Sequence, residues 1–243
     1  MRCSEVWGGT HDIDLDVRTS ALSSSIWSAA CDGTRGGDVY YFSVCDHDML
    51  TRLAIADVVG HGASVNEVGD WLYDSMVHCL NDGDDAAVLT ELNRMACSHQ
   101  LEMLGTAAVY SYVRGRHLLH FCSAGHPPAL LYRQDARAWR ALEPATGPGL
   151  AGLPLAVMPS VAYRRSTVAV TPGDRLLILT DGLTESADGF GRQLGMERLL
   201  ETLQGLGNVP LRDLKMAVRA IRASHMGSAP ARDDVTLAVL EFH

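Results

Sequence analysis

Four short acidic signatures, spread over almost the whole chain, constrain its fold more than any other feature. They are Gly36-Gly-Asp38, Ala56-Asp-Val-Val-Gly-His-Gly62, Thr180-Asp-Gly-Leu-Thr-Glu185 and Arg232-Asp-Asp-Val-Thr236. Each puts an aspartate at the end of an apolar strand-like run or at the edge of a glycine turn. Asp57 ends the run Leu53-Ala-Ile-Ala56, and Asp181 follows Arg175-Leu-Leu-Ile-Leu-Thr180 and precedes Gly182. Asp38 precedes Val39-Tyr-Tyr-Phe42, while Asp233 and Asp234 precede Val235–Phe242. A single Asp-Gly at a strand end is an ordinary turn; four with one grammar call for a common cause. Carboxylates gathered in one place repel each other and lose hydration, so something positive must hold them. Hard divalent cations with oxygen ligands fit best. Gly60 and Gly62 beside Asp57 allow a sharp turn and close approach of backbone carbonyls to a ligand. A carboxylate followed by an exposed carbonyl suits Mg²⁺ or Mn²⁺. The chemistry implied is metal-dependent hydrolysis, with phosphate esters as the expected substrates.

Composition bounds the alternatives. The chain has 243 residues, 47% hydrophobic and 20% charged, an ordinary globular mix that excludes wholesale disorder. A formal net charge of −9 argues against nucleic acid as the main partner, because phosphate backbones want a basic face. The Arg164–Arg165 pair is the nearest thing to a basic patch and reads as a solvated strand end rather than a phosphate contact. Six cysteines occur without a C-x-x-C pair or zinc-knuckle spacing, and a chain this long needs no disulfide framework. The N-terminus lacks the apolar core of a signal peptide, and no stretch approaches a membrane span. Reduced thiols, a cytoplasmic location and no membrane partner are the expectation.

The organisation reads as one domain, 1–243, with a motif-bearing core over about 36–242. The loosest stretches, 142–160 and 186–195, look like surface loops, and the signatures lie on either side of both. Strand-like runs are 39–44, 52–56, 107–113, 117–123, 129–132, 162–170, 175–179 and 235–242. Val113-Arg-Gly-Arg-His117 reads as a hairpin turn. Val65, Val68, Trp71, Leu72, Met76 and Cys79 give a helical stripe, which is either a core face or a dimer face of a homodimer. Val88, Leu89, Leu92, Met95 and Ala96 begin a second helix, Met196, Leu199, Leu200 and Leu203 a third, and Pro210 opens a fourth. Strand clusters separated by helix pairs predict an α+β layered fold rather than strict βαβ alternation.

Other hydrolytic chemistries fit poorly. A cysteine phosphatase needs Cys-x5-Arg, and the best candidate, Cys122, has Pro128 where the arginine belongs. The chain has no P-loop, no G-x-S-x-G elbow and no HExxH. His61, in the turn beside Asp57, reads equally as a general acid or phosphate contact and as a turn-capping residue. His126, in Ser123-Ala-Gly-His-Pro-Pro128, reads as ordering a loop between strands, with a catalytic role as the lesser alternative.

These residues together resemble the PPM class of metal-dependent serine/threonine phosphatases, specifically its bacterial SpoIIE-type branch. The resemblance runs from about Gly36 to Phe242 in the family's order: GGDVYYF, LAIADVVGHG, GTAAVYSYV, FCSAGHPPALLY, GDRLLILTDGLTE and ARDDVTLAVLEF. It implies a four-layer αββα sandwich of two antiparallel sheets flanked by helix pairs. It implies two divalent metal ions, Mn²⁺ or Mg²⁺, with Asp57 bridging them, the Val58 carbonyl contacting one, and Asp181 and Asp233 as further ligands. Asp38 is implied as an acidic ligand, directly or through water, and Asp234 is the lesser member of the final pair. Asp57 and Asp181 are the residues on which catalysis is expected to depend. The expected reaction is in-line attack on phosphorus by a metal-activated water, with the serine oxygen leaving and no covalent phosphoenzyme. The implied substrate is a phosphorylated regulatory protein, of the anti-anti-sigma type, in a partner-switching pathway.

The chain also departs from the wider class. Sensor or receiver domains often precede such phosphatases, whereas 35 residues precede Gly36, so regulation is expected to be intrinsic or to come from a separate protein. The eukaryotic phosphate-binding arginine has no obvious counterpart, Arg35 beside Gly36 being the nearest in sequence, and the Asp57 to His61 spacing differs from the eukaryotic one. The segment Ala63–Leu80 is the implied regulatory helix. Two other readings stand beside the phosphatase: a catalytically silent phosphoprotein-binding module on the same fold, and a hydrolase of small phosphate monoesters. The filled acidic positions speak against the first.

Overall fold

Antiparallel pairing organises the chain into two six-stranded sheets. The computed structural model describes residues 3–33, 35–45, 47–59, 63–82, 84–98, 104–144 and 152–243. The first sheet has the order β1 (Cys3–His11), β4 (Arg35–Cys45), β5 (Leu50–Val58), β6 (Gly105–Val113), β7 (Leu118–Ala124), β10 (Ser166–Ala169). The second has the order β2 (Ile13–Arg18), β3 (Leu22–Ala29), β12 (Val235–Phe242), β11 (Arg175–Leu179), β8 (Leu130–Arg133), β9 (Ala138–Ala141). The α+β class expected from the sequence holds, with a helix pair for each sheet: α1 (Ala63–Asp82) and α2 (Asp85–Ser98) for the first, α4 (Met196–Leu206) and α5 (Leu211–Met226) for the second. A single turn, α3 (Asp181–Thr184), follows β11. Two units emerge: Met1–Thr10 with Arg35–His126 and Pro144–Val170, and His11–Thr34 with Pro127–Glu143 and Thr171–His243.

In the first unit, strand alternation divides the residues cleanly. Val39, Tyr41, Ala54, Ala56, Ala107, Val109 and Cys122 face the helices and share one buried cluster with Leu72, Met76, Leu89 and Leu92. The stripe Val65, Val68, Leu72, Met76 and Cys79 lies inside that cluster. Those residues form a core face, which corrects the dimer-face alternative for the stripe. The β6–β7 hairpin closes through a single 3-10 turn, Arg114–Arg116, and His117 adopts the left-handed region at φ 50° to re-enter the strand.

The strand expected over 162–170 is shorter, Ser166–Ala169. Tyr163 is drawn onto the helical core instead: its hydroxyl donates to the Leu153 carbonyl at 3.0 Å and its amide donates to Thr90 Oγ1 at 3.4 Å. Arg164 and Arg165 are exposed, and Arg165 lies 3.7 Å from Asp84, in keeping with a solvated strand end.

In the second unit, Leu177, Leu179, Val235, Leu237 and Val239 face Leu199, Leu203, Leu214 and Val218 of α4 and α5. Helix α5 begins at Leu211, so Pro210 is its N-cap residue rather than its first helical residue, and the Pro210 carbonyl accepts from the Leu214 amide at 3.0 Å.

Four strands, β1, β2, β3 and β9, were not legible in the sequence pattern. β3 is serine-rich yet central: it pairs with β12 from Leu22–Phe242 to Ala29–Val235, and Ser28 Oγ lies 2.9 Å from Thr236 Oγ1. No helix among the described residues is long and apolar enough to cross a membrane. Cys31, Cys45, Cys79, Cys97 and Cys122 are free thiols.

A lysine is buried under α5. Lys215, 2% exposed, donates to Asp14 Oδ1 at 2.6 Å and to Asp16 Oδ1 at 3.2 Å on β2. Both acids are held below the ordinary carboxyl value of 3.8, Asp14 chiefly by the Lys215 hydrogen bond and Asp16 chiefly by that of Ser25. A depressed folded pKa stabilises the fold above the unfolded value, and that stabilisation is lost as the pH falls below about 3.8 through the folded values. The Asp14→Asn/Asp16→Asn double variant leaves the ammonium buried without an acid. It is expected to lose about 2 kcal/mol in urea unfolding at pH 7, below the cost of a fully buried pair because both acids are half exposed. Lys215→Met is expected to lose less, since both acids can rehydrate. Equal stability of the double variant and the wild type at pH 7 contradicts this account.

Candidate metal centre

In the first unit the acids come from the ends of β4 and β5. The antiparallel register reaches Val39 opposite Ala56, and the next step places Asp38 opposite Asp57. Both lie on the face away from α1 and α2, because their neighbours Val39 and Ala56 face the helices. Asp38 is 3% and Asp57 8% exposed, so two carboxyl groups are buried side by side at one end of the sheet. Burying carboxyl groups costs hydration, a cost that a bound cation would offset.

Gly37 makes this end of the sheet possible. A Cβ there would stand 2.7 Å from Val65 Cγ1 and 2.9 Å from the Val58 carbonyl oxygen, so only glycine lets β4 lie this close to the implied carbonyl ligand.

Asp57 pairs with Thr106 on β6, and Thr106 Oγ1 lies 2.8 Å from His126 Nδ1. His126 is buried, and its amide and carbonyl both engage Ser123 Oγ at 3.2 Å. These contacts agree with the loop-ordering reading of His126. Thr106 lies in the block GTAAVYSYV but was not singled out there, and it is strand pairing that brings it next to Asp57. His61, Gly60 and Gly62 lie outside the described residues, as do positions 145–151 of the loop expected at 142–160.

In the second unit, Asp181 opens the α3 turn directly after β11, and Asp233 and Asp234 lead into β12. The two loops are stitched at their base: the Thr180 amide donates to the Thr236 carbonyl at 3.0 Å and the Thr236 amide to Thr180 Oγ1 at 2.9 Å. They then touch at Gly182, where a Cβ would fall 1.8 Å from the Asp234 carbonyl oxygen and 3.5 Å from Asp233 Cβ.

The final pair divides its work. An Asp234 carboxylate oxygen accepts from the Cys31 amide at 2.7 Å, a structural duty, while among the described residues Asp233 Oδ1 accepts only its neighbour's amide at 2.9 Å. Burial pushes the Asp233 carboxyl up to about 6, and the charges of Asp181 and Asp234 add to the rise. Asp181 Oδ1 is buried with no hydrogen-bond partner among the described residues.

Each unit therefore holds a pair of acids, Asp38 with Asp57 and Asp181 with Asp233. Among the described residues, no group of three or more His, Cys, Asp or Glu side chains lies at metal-holding distance. The donor sets are all oxygen and rich in negative charge; Asp38 and Asp57 are buried, Asp181 and Asp233 half-buried, and the Asp181 Oδ1 oxygen is orphaned among the described residues. Those properties fit a hard divalent cation.

Two antiparallel sheets with helix pairs and acids at the strand ends define the PP2C phosphatase fold. The SiaA-PP2C domain of Pseudomonas aeruginosa superposes with a TM-score of 0.78 at 23% identity, over 90% of this chain and 86% of that one. The catalytic domain of the serine/threonine protein phosphatase PstP, solved with two manganese ions, superposes with a TM-score of 0.61 at 18% identity, over 91% and 98%. The family model for stage II sporulation protein E (SpoIIE) matches residues 47–243, and the chain belongs to that family. The phosphoserine phosphatase RsbU of Bacillus subtilis (strain 168) is 27% identical over 175 residues, 68% of this chain and 48% of RsbU. The chain thus spans about half the length of that relative.

Proposed function

We propose that this protein is a metal-dependent phosphatase that hydrolyses phosphoserine or phosphothreonine on a regulatory protein in bacterial signalling of the partner-switching type. The observation that carries the reading is the paired buried acids, with the orphaned Asp181 oxygen, in a chain of the SpoIIE family. The similarity to RsbU supports a phosphoserine substrate. Asp38, Asp57, the Val58 carbonyl, Asp181 and Asp233 are the proposed ligands of two divalent ions, Mn²⁺ or Mg²⁺. Bound there, such ions neutralise phosphate charge and make water nucleophilic near neutral pH.

The chain's own residues supply the rest. Asp38 and Asp57 are held by β4 and β5, which fix their spacing before any ligand arrives. Asp234 anchors the loop that presents Asp233 through its bond to the Cys31 amide. The whole chain, 1–243, acts as one phosphatase domain in this reading. The free thiols accord with a reducing cytoplasm, and the expected partner is a small phosphorylated regulator of the anti-anti-sigma kind.

Hydrolysis of p-nitrophenyl phosphate and of a phosphoserine peptide, each in EDTA, Mg²⁺ or Mn²⁺, tests the proposal. Turnover in Mn²⁺ or Mg²⁺ that EDTA abolishes is the expected result. Folded protein that binds Mn²⁺ in calorimetry yet turns over neither substrate points to a silent binding module. Activity on the small ester with none on the peptide points to a small-molecule esterase.

A further inference from the structure

The turn that carries Asp181 is held from behind by a hydrogen-bonded relay. Ser186 is buried, and its hydroxyl donates to the Gly182 carbonyl at 2.6 Å. Arg222 of α5 donates from Nε to the same Ser186 oxygen at 2.7 Å. A serine hydroxyl has one proton, so a hydroxyl that accepts from Arg222 must aim that proton at Gly182. The arginine therefore sets the direction of the bond that holds the turn.

The surroundings leave the relay little slack. Trp27 of β3 lies against the guanidinium groups of both Arg219 and Arg222, at 4.6 and 6.0 Å from its ring centre. The Ser186 carbonyl accepts from the Leu194 amide at 2.9 Å and the Thr184 carbonyl from the Gly195 amide at 2.8 Å, which closes the loop after the turn. At the far end, Gly182 packs on the Asp234 carbonyl, with Asp233 beside it. A shift of the Gly182 carbonyl would displace Asp181 on one side and the Asp233 loop on the other.

We propose that Arg222 is a positioning residue: through Ser186 it fixes the Gly182 carbonyl, and with it the placement of Asp181 and Asp233 for a divalent cation. The inference rests on the proposed metal-ligand role of those two aspartates. Arg222 acts here as a hydrogen-bond donor, because Nε is the atom that meets the Ser186 oxygen.

That distinction can be tested with near-isosteres. Glutamine places its Nε2 the same number of bonds from the backbone as the Nε of arginine, whereas methionine fills that space without a donor. Mn²⁺ affinity by calorimetry is expected to weaken about tenfold in Arg222→Met and in Ser186→Ala, as for loss of an outer-shell partner. Arg222→Gln is expected to stay within about twofold of wild type. The Arg222→Met/Ser186→Ala pair is expected to be no weaker than either single variant, since both cut one relay.

Arg222→Gln as weak as Arg222→Met, or Arg222→Met as tight as wild type, overturns the proposal. Amide hydrogen exchange of residues 181–186 in metal-free protein separates this inference from the metal-site reading. If the wild type takes up no Mn²⁺, the metal-site reading fails. Exchange then still decides the relay: faster in Arg222→Met but not in Arg222→Gln supports it, and no difference overturns it.

Discussion

Asp57→Asn and Asp181→Asn are each expected to lower metal-dependent hydrolysis of p-nitrophenyl phosphate by more than about 100-fold at fixed Mn²⁺. Loss of an outer-shell partner already costs about 10–100-fold in affinity or activity, and removing a proposed ligand removes a full negative charge as well. Asparagine keeps the shape, so the change tests charge rather than packing. The two substitutions also sample the two acidic pairs separately, since Asp57 stands opposite Asp38 and Asp181 beside Asp233. Asp234→Asn is the comparison: its carboxylate holds the Cys31 amide, so it should cost stability more than turnover. Either primary variant retaining more than a tenth of wild-type turnover at the same Mn²⁺ would remove that residue from the proposed ligand set.

Gly182→Ala is expected to do comparable damage by a different route. The added methyl would sit 1.8 Å from the Asp234 carbonyl oxygen, which is backbone and cannot swing aside as a side chain could. Gly182 lies in an ordinary helical turn, so the cost is steric and not conformational. Overpacking of this kind costs about 1–3 kcal/mol, which corresponds to a fall in Tm of roughly 3–10 °C for a chain of this size. Because the collision drives the Asp181 turn from the Asp233 loop, metal affinity and turnover should fall with it. Gly189→Ala is the control, since nothing lies within 4 Å of the place its methyl would take. An unchanged Tm and turnover in Gly182→Ala would show that the two loops are not locked together at this point.

Much of the fold was legible because its signals are local. The alternation in Val39–Val44 and Arg52–Ala56, the stripe from Val65 to Cys79 and the turn at Arg114–Arg116 are properties of neighbours in sequence, and each element formed close to its expected place. The acids at strand ends were legible for the same reason. The dimer-face alternative for the Val65–Cys79 stripe was open because an apolar helix face does not say what covers it; β4 and α2 do.

The relay was hidden. Nothing in the sequence singles out Arg222, and only the fold of the loop after Asp181 brings Ser186 against it. The resemblance ranked Asp233 above Asp234, but the physical duty of Asp234 was visible only once the Cys31 amide was seen beside it.

What the sequence determined by itself was the set of strands and helices with strong periodicity, the α+β class, and the four acidic positions together with the glycines beside them. Those follow from steric and hydrophobic preferences that act over a few residues. Tertiary structure decided the rest. Serine-rich β3 became a central strand because β12, more than 200 residues away, offers it eight paired positions. Lys215 became a buried ion because β2 brings Asp14 and Asp16 to it. Strand propensity measures packing against partners as much as intrinsic preference, and those partners are fixed only when distant segments pair.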